Sequence, residues 1–67
     1  MSHNRLAQML KDLRKKRGLT QIELAKRAKI TQPYIVNLER GDKLNPSLAV
    51  LRRLAKALKC SISELVE

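Results

Sequence analysis

A chain of 67 residues has room for one domain, and a domain this small buries only about 60% of its unfolded surface. Hydrophobic residues make up 43% of it, yet Tyr34 is the only aromatic, so the core must come from Leu, Ile, Val, Ala and Met, a mixture that favours helices over sheet. Fifteen Lys and Arg against six Asp and Glu give a net charge of +9, which points to a polyanionic partner.

The same inventory excludes several classes. The single Cys60 has no intrachain disulfide partner, no CxxC pattern occurs, and His3 stands alone near the terminus, so no metal or other cofactor is expected. With one His, one Cys and few carboxylates there is no nucleophile–base constellation, and no catalysis or small-molecule ligand is expected. No signal-peptide core and no run of about 18 apolar residues occurs, so a reducing, cytoplasmic setting is the expectation. A membrane surface would want one long basic amphipathic helix with interfacial aromatics, and the sequence has neither.

In chain order, residues 4–17 read as a first helix. Leu6, Met9, Leu10 and Leu13 recur at three and four, giving one apolar stripe, with Asn4 or Ser2 as cap. Cations crowd its last turns from Lys11 to Arg17, where they suit the helix dipole. Gly18 is placed as a left-handed terminator with Leu19 packing back. Thr20-Gln21-Ile22-Glu23 spells a capping box opening a second helix. Leu24, Ala25 and Ala28 form its narrow inner face, small enough for another helix to cross closely, and Ile22 falls off that face.

Lys29-Ile30-Thr31 reads as a tight turn, with Thr31 capping a third helix over 32–40, Pro33 in its first turn and Gly41 closing it. Residues 42–45 are expected to form a loop with Leu44 tucked inward. Asn45-Pro46 reads as the start of a fourth helix running to Leu58. Leu48, Leu51, Leu54, Ala55 and Leu58, broadened by Val50, make its apolar face. Ser61-Ile62-Ser63-Glu64 is a second capping box, opening a short fifth helix with Ile62, Leu65 and Val66 on one side. Residues 1–67 thus predict a single all-α compact domain of five helices.

The third helix has an unusual outer face. With Ile35 at zero and about 100° per residue, Leu38 and Tyr34 fall on one side, while Gln32, Val36, Arg40, Pro33 and Asn37 fall between about 60° and 200°. That face carries amides, one cation and small apolar groups, and no carboxylate. In so basic a chain it suits the DNA major groove.

Taken together, LAKRAKITQPYIVNLERG, then NPSLAVLRRLAKAL, then SISEL resemble the Cro and phage-repressor (lambda-repressor-like) helix-turn-helix family, over about Leu6 to Val66. The resemblance implies a five-helix fold with the helix-turn-helix at about 20–40, and binding of double-stranded DNA with the third helix in the major groove. It implies that Gln32, Pro33, Val36 and Asn37 meet base edges and that Gln21 binds phosphate. It further implies that Arg14 and Glu39 form a partly buried ion pair, and that the protein is a homodimer through the end formed by helices 4 and 5, where Ile62, Leu65 and Val66 either pair across a two-fold or cap the core of the single chain. The sequence departs from the pattern at Lys29, where the family usually has Gly, and at Pro33 and Val36, which replace more polar residues.

The residues themselves support parts of this assignment. Gln32 and Asn37 carry amides able to pair with adenine, and the Val36 methyls suit a thymine methyl. Gln21 opens a helix, where amides favour an anion. Tyr34, Arg40, Lys43 and Asn45 sit around the reading helix and its exit, placed for phosphate contacts that set register. Cys60 reads as a small apolar residue rather than a reactive thiol. The expected function is a sequence-specific, Cro-like transcriptional regulator or repressor, with no enzymatic activity, bound to a near-palindromic operator. The alternative is an antitoxin-type or other protein-binding module on the same fold.

Overall fold

A computed structural model describes residues 5–42 and 45–66. The described residues form α1 (Arg5–Lys16), α2 (Gln21–Ala28), α3 (Gln32–Arg40), α4 (Leu48–Leu58) and α5 (Ile62–Val66), with no strand among them. The expected all-α, five-helix architecture is the one observed. The loop residues Lys43 and Leu44 lie outside the described residues, so the inward placement of Leu44 and the phosphate role of Lys43 have no structural counterpart here.

The ends of α1 and α3 and the starts of α2, α3 and α5 fall where the sequence chemistry places them. Gly18 adopts φ +71°, with its amide donating to Lys15 O and that of Leu19 to Arg14 O, a Schellman closure of α1. Leu19 thereby folds back into the core. Thr20 Oγ1 accepts from the Glu23 amide at 3.0 Å while Glu23 Oε1 accepts from the Thr20 amide at 2.8 Å, so both halves of the capping box form. Ser61 and Glu64 repeat the device at α5. Thr31 caps α3 through the Tyr34 amide, and Gly41 closes it at φ +83°.

The start of α4 departs from the sequence reading. The cap is Ser47, whose Oγ accepts from the Val50 amide at 3.1 Å, and Pro46 precedes the cap instead of opening the helix. Asn and Ser are near-equal caps, and Pro fits on either side of one, so local rules do not rank the two positions. The shift leaves Leu48 in the first turn and 54% exposed, outside the apolar face to which it was assigned, with Leu51 half-buried.

The core gathers Leu10, Leu13, Leu24, Ile35, Leu54, Leu58 and Leu65, with Ala25, Ala28 and Ala55 where helices approach closely. In α1 the small Ala7 is buried while Met9 is only partly so. Packing is α1 on α3 and α5, α2 on α3 and α4, and α4 on α5. Tyr34, Cys60 and Ile62 pack partly buried around this core. Burial pushes the Cys60 thiol pKa up, the Glu64 carboxylate adds to the effect, and Arg17 opposes it.

One long-range tie has no local signature. Arg17 Nε donates to Leu58 O at 2.7 Å and its Nη2 to Lys59 O at 3.2 Å, fastening the end of α1 over the last carbonyls of α4. The sequence suggested for Arg17 only a favourable place at the C-terminal end of α1.

Candidate nucleic-acid interface

The interface is built on α3, and what fixes α3 is a buried carboxylate. Ile35 and Leu38 anchor its inner side, fully and almost fully buried, and Glu39 is buried beside them at 6% exposure. A carboxylate so placed must be paired. Arg14 grips it with both arms of its guanidinium: Nε donates to Oε2 at 2.6 Å and Nη2 to Oε1 at 3.0 Å. The third arm, Nη1, donates to Leu19 O at 2.8 Å. Gln21 Nε2 also donates to Glu39 Oε1, at 3.1 Å. One carboxylate on α3 therefore ties together α1, the α1–α2 turn and the first residue of α2. No described buried side-chain polar atom is left without a partner.

With that side held, the other side of α3 is free to face a ligand. Gln32, Pro33 and Arg40 are exposed, and Val36 and Asn37 are half-exposed. All five lie on the face that the helical period set apart from Ile35. The four suggested base-reading residues thus share one accessible surface, with Arg40 at its far end. Tyr34 is half-buried against the core rim, and Asn45 is exposed beyond the exit of α3. Gln21 is half-buried with one amide hydrogen committed to Glu39, so only the rest of its amide remains for a phosphate.

The turn between α2 and α3 is where family pattern and chain disagree, and the backbone shows why the disagreement matters. Lys29 adopts φ 59° and ψ 45°, the left-handed conformation. Its amide donates to Lys26 O and that of Ile30 to Ala25 O, again a Schellman closure. A side chain there costs about 1 kcal/mol relative to Gly. Lys59 repeats the arrangement at the end of α4, at φ 56°, a position the sequence reading did not single out.

At the far end, the proposed dimer residues divide. Leu65 is fully buried and belongs to the core of the single chain, so it has no surface to give a partner. Val66 is 45% exposed and Ile62 partly so. The suggested pairing surface is reduced to these two because the inward turn of α5 is needed to close the core against α1 and α4.

Among the described residues no helix is long and apolar enough to cross a membrane. A pair of helices crossing through small residues, the second held by a buried ion pair and exposing amides in a chain of net charge +9, defines a helix-turn-helix DNA-binding domain. The chain belongs to the helix-turn-helix family, whose model matches residues 10–65. It is 41% identical over 61 residues to the immunity repressor protein of Bacillus phage phi105, covering 91% of this chain and 42% of that protein. The fold is similar to the N-terminal DNA-binding domain of SinR from Bacillus subtilis, with a TM-score of 0.90 at 31% identity, covering 97% of this chain and 94% of that one. SinR solved in complex with DNA gives 0.88 at 31%, covering 92% and 98%. The restriction-modification controller protein C.AhdI from Aeromonas hydrophila gives 0.86 at 35%, covering 92% of each chain. The chain spans less than half the length of the phage repressor and of a second relative, a regulator from Deinococcus deserti. The family is one of transcriptional regulators, which bind DNA without transforming it.

Proposed function

We propose that this chain reads a specific double-stranded DNA site through the outer face of α3, in the major groove, and that two copies do so on a near-palindromic operator to regulate transcription in the cytoplasm. The observation that carries the reading is the division of α3. Ile35, Leu38 and Glu39 are buried, while Gln32, Pro33, Val36 and Asn37 share an accessible face that holds no carboxylate. Gln32 opens the helix and is the leading base reader, through a bidentate amide pair with adenine. Asn37 does the same one and a half turns on, and Val36 meets a thymine methyl. Pro33 lies against a sugar or base edge. Gln21, Tyr34, Arg40, Lys43 and Asn45 hold the backbone and set the register.

With two of four readers apolar, shape and deformability of the DNA supply part of the selectivity. Two-fold symmetry places the reading helices about 34 Å apart, one DNA turn. That the SinR structure of closely similar fold was solved with DNA supports the choice of ligand.

The test is selection of bound sequences from random duplex DNA, followed by titration of the selected site. The expected product is an inverted repeat with half-sites one turn apart. Gln32→Ala should weaken binding and relax preference at one position per half-site, costing about 1–3 kcal/mol of discrimination. Enrichment of no sequence, together with equal affinity for all duplexes, would sink the reading.

A further inference from the structure

A second charged surface is formed by residues outside α3. Where α2 and α4 end side by side, a groove of about 360 Å³ is lined by Arg27, Lys29, Arg53, Lys56, Ala57 and Lys59. Five of the six are cations, and all five are exposed. Four of the five described carboxylates are occupied elsewhere: Asp12 accepts from Gln8, Glu23 and Glu64 serve the two capping boxes, and Glu39 holds Arg14, while Asp42 follows the end of α3 and does not line the groove. Of these, Glu23 lies one turn before Arg27 on α2.

The backbone adds an independent observation. The two non-glycine residues with left-handed φ among the described residues, Lys29 and Lys59, both line this one groove. Each stands where Gly would be less strained. The helix dipole does not account for them. Lys26 and Arg27 already supply cations to the last turn of α2, as Lys56 does to that of α4.

We infer that this groove is a docking site for an acidic polypeptide segment of a partner protein, its carboxylates paired with the rim of Lys and Arg and a small apolar side chain set over Ala57. Three features select a peptide. First, the groove offers no backbone amides to a phosphate. The amides of Lys29, Ile30, Lys59 and Cys60 are all spent on carbonyls of their own helices. Helix N-termini, where amides point outward, are the usual dehydrated-phosphate sites, and these are C-termini. Attraction here comes from separate, flexible side chains, which suit carboxylates spaced along a chain, with Arg27 and Arg53 able to pair bidentately.

Second, Ala57 and the aliphatic stems of the lysines give the lining an apolar component among its charges. Third, the groove is at the wrong ends of α2 and α4 for the duplex proposed above. Gln21 and Asn45, assigned to phosphates, lie at or just before the N-terminal ends. Its far edge, Lys29 and Lys59, is about 12 Å along α2 and about 16 Å along α4 from those ends, at 1.5 Å per residue over 8 and 11 residues, and its near edge on α4, Arg53, is about 8 Å from the start of that helix. Only this third point rests on the DNA reading. The negative end of α4 does not repel the segment, because Arg17 covers the Leu58 and Lys59 carbonyls.

The experiment uses a fluorescent decapeptide of alternating Glu and Ala, titrated with the full chain and followed by anisotropy. The groove variant is Lys29→Gly/Arg53→Gln/Lys56→Gln/Lys59→Gly. A control variant removes the same number of cations from α1: Arg5→Gln/Lys11→Gln/Lys15→Gln/Lys16→Gln. The two glycines relieve left-handed strain, so the groove variant folds, and thermal melting verifies this. Expected is peptide affinity about tenfold weaker for the groove variant and close to parent for the control. Equal weakening in both variants, or no peptide binding by the parent chain, overturns the proposal. Affinity for a selected duplex is measured on the same variants. Retention in the groove variant marks the groove as separate from the DNA surface. Loss of duplex affinity in step with the peptide makes it part of that surface and overturns the proposal. Failure of the DNA reading would show differently, as absence of duplex preference in the parent chain with peptide binding intact.

Discussion

At the scale of single residues, the fold depends most on Glu39. It is buried, and it accepts from Arg14 twice and from Gln21 once. Glu39→Ala strands the Arg14 guanidinium, which then keeps only Leu19 O. Breaking a buried pair costs about 3–5 kcal/mol, and Arg14 retains some access to water, so the lower end applies: about 3 kcal/mol, or more than about 10 °C in Tm for a domain this small. A melting curve matching the parent's would refute the pair's structural weight. Lys29 gives the opposite sign. Lys29→Gly removes about 1 kcal/mol of backbone strain and loses a helix-end cation worth about 0.3 kcal/mol. The net is a Tm raised by a few degrees, read by calorimetry. A lowered Tm would mean that the lysine side chain is held by contacts of its own.

At the scale of elements, caps decide boundaries, and here the sequence was both clear and silent. Gly18, Gly41, Thr20 with Glu23, Thr31, and Ser61 with Glu64 could all be read directly, because each residue type has one physical use at that spacing. Leu24, Ala25, Ala28, Ile35 and Leu38 were legible as inner faces for the same reason. The start of α4 was not, because Asn45 and Ser47 are equally good caps, and Leu48 was misassigned with it. Ser47→Ala is expected to cost about 1 kcal/mol while Asn45→Ala leaves stability unchanged; the reverse order in urea titrations would restore Asn45 as the cap.

Ties between distant segments were invisible to any local pattern: Arg17 on the end of α4, Gln21 on Glu39, and the gathering of Arg27, Lys29, Arg53 and Lys59 in one groove. The capping box of α2 also carries a pH signature. Hydrogen bonds from Thr20 hold the Glu23 pKa below its ordinary 4.5, helped by Arg27 and Lys26. A depressed carboxylate stabilises fully above its unfolded value and loses that contribution as pH falls through its folded one. Stability should therefore decline below about pH 4.5, and Glu23→Gln should flatten part of that decline, measured by Tm against pH.

At the scale of the whole molecule, charge and symmetry govern behaviour. A net charge of +9 implies binding that weakens steeply with salt, each neutralised phosphate adding about −0.9 to the slope of log K against log salt. Arg40→Gln should reduce that slope by about one while lowering affinity evenly across sequences; a change in sequence preference instead would make Arg40 a base reader. Pairing of two copies is tested through Val66, which is 45% exposed, rather than Leu65, which is fully buried. Val66→Glu should shift sedimentation at micromolar concentration toward monomer with Tm unchanged, and an unaltered dimer would move the two-fold axis elsewhere.

The division of labour along α3 has a further consequence. The buried groups that aim the helix, Ile35, Leu38 and Glu39, point inward, and the side chains of Gln32, Val36 and Asn37, proposed to read bases, make none of the hydrogen bonds that hold it. Aim and content are thus separately heritable. On the proposed reading, exchanging Gln32, Val36 and Asn37 would change what is read while leaving Ile35, Leu38 and Glu39 in place, so a lineage carrying this scaffold could acquire a new operator one side chain at a time.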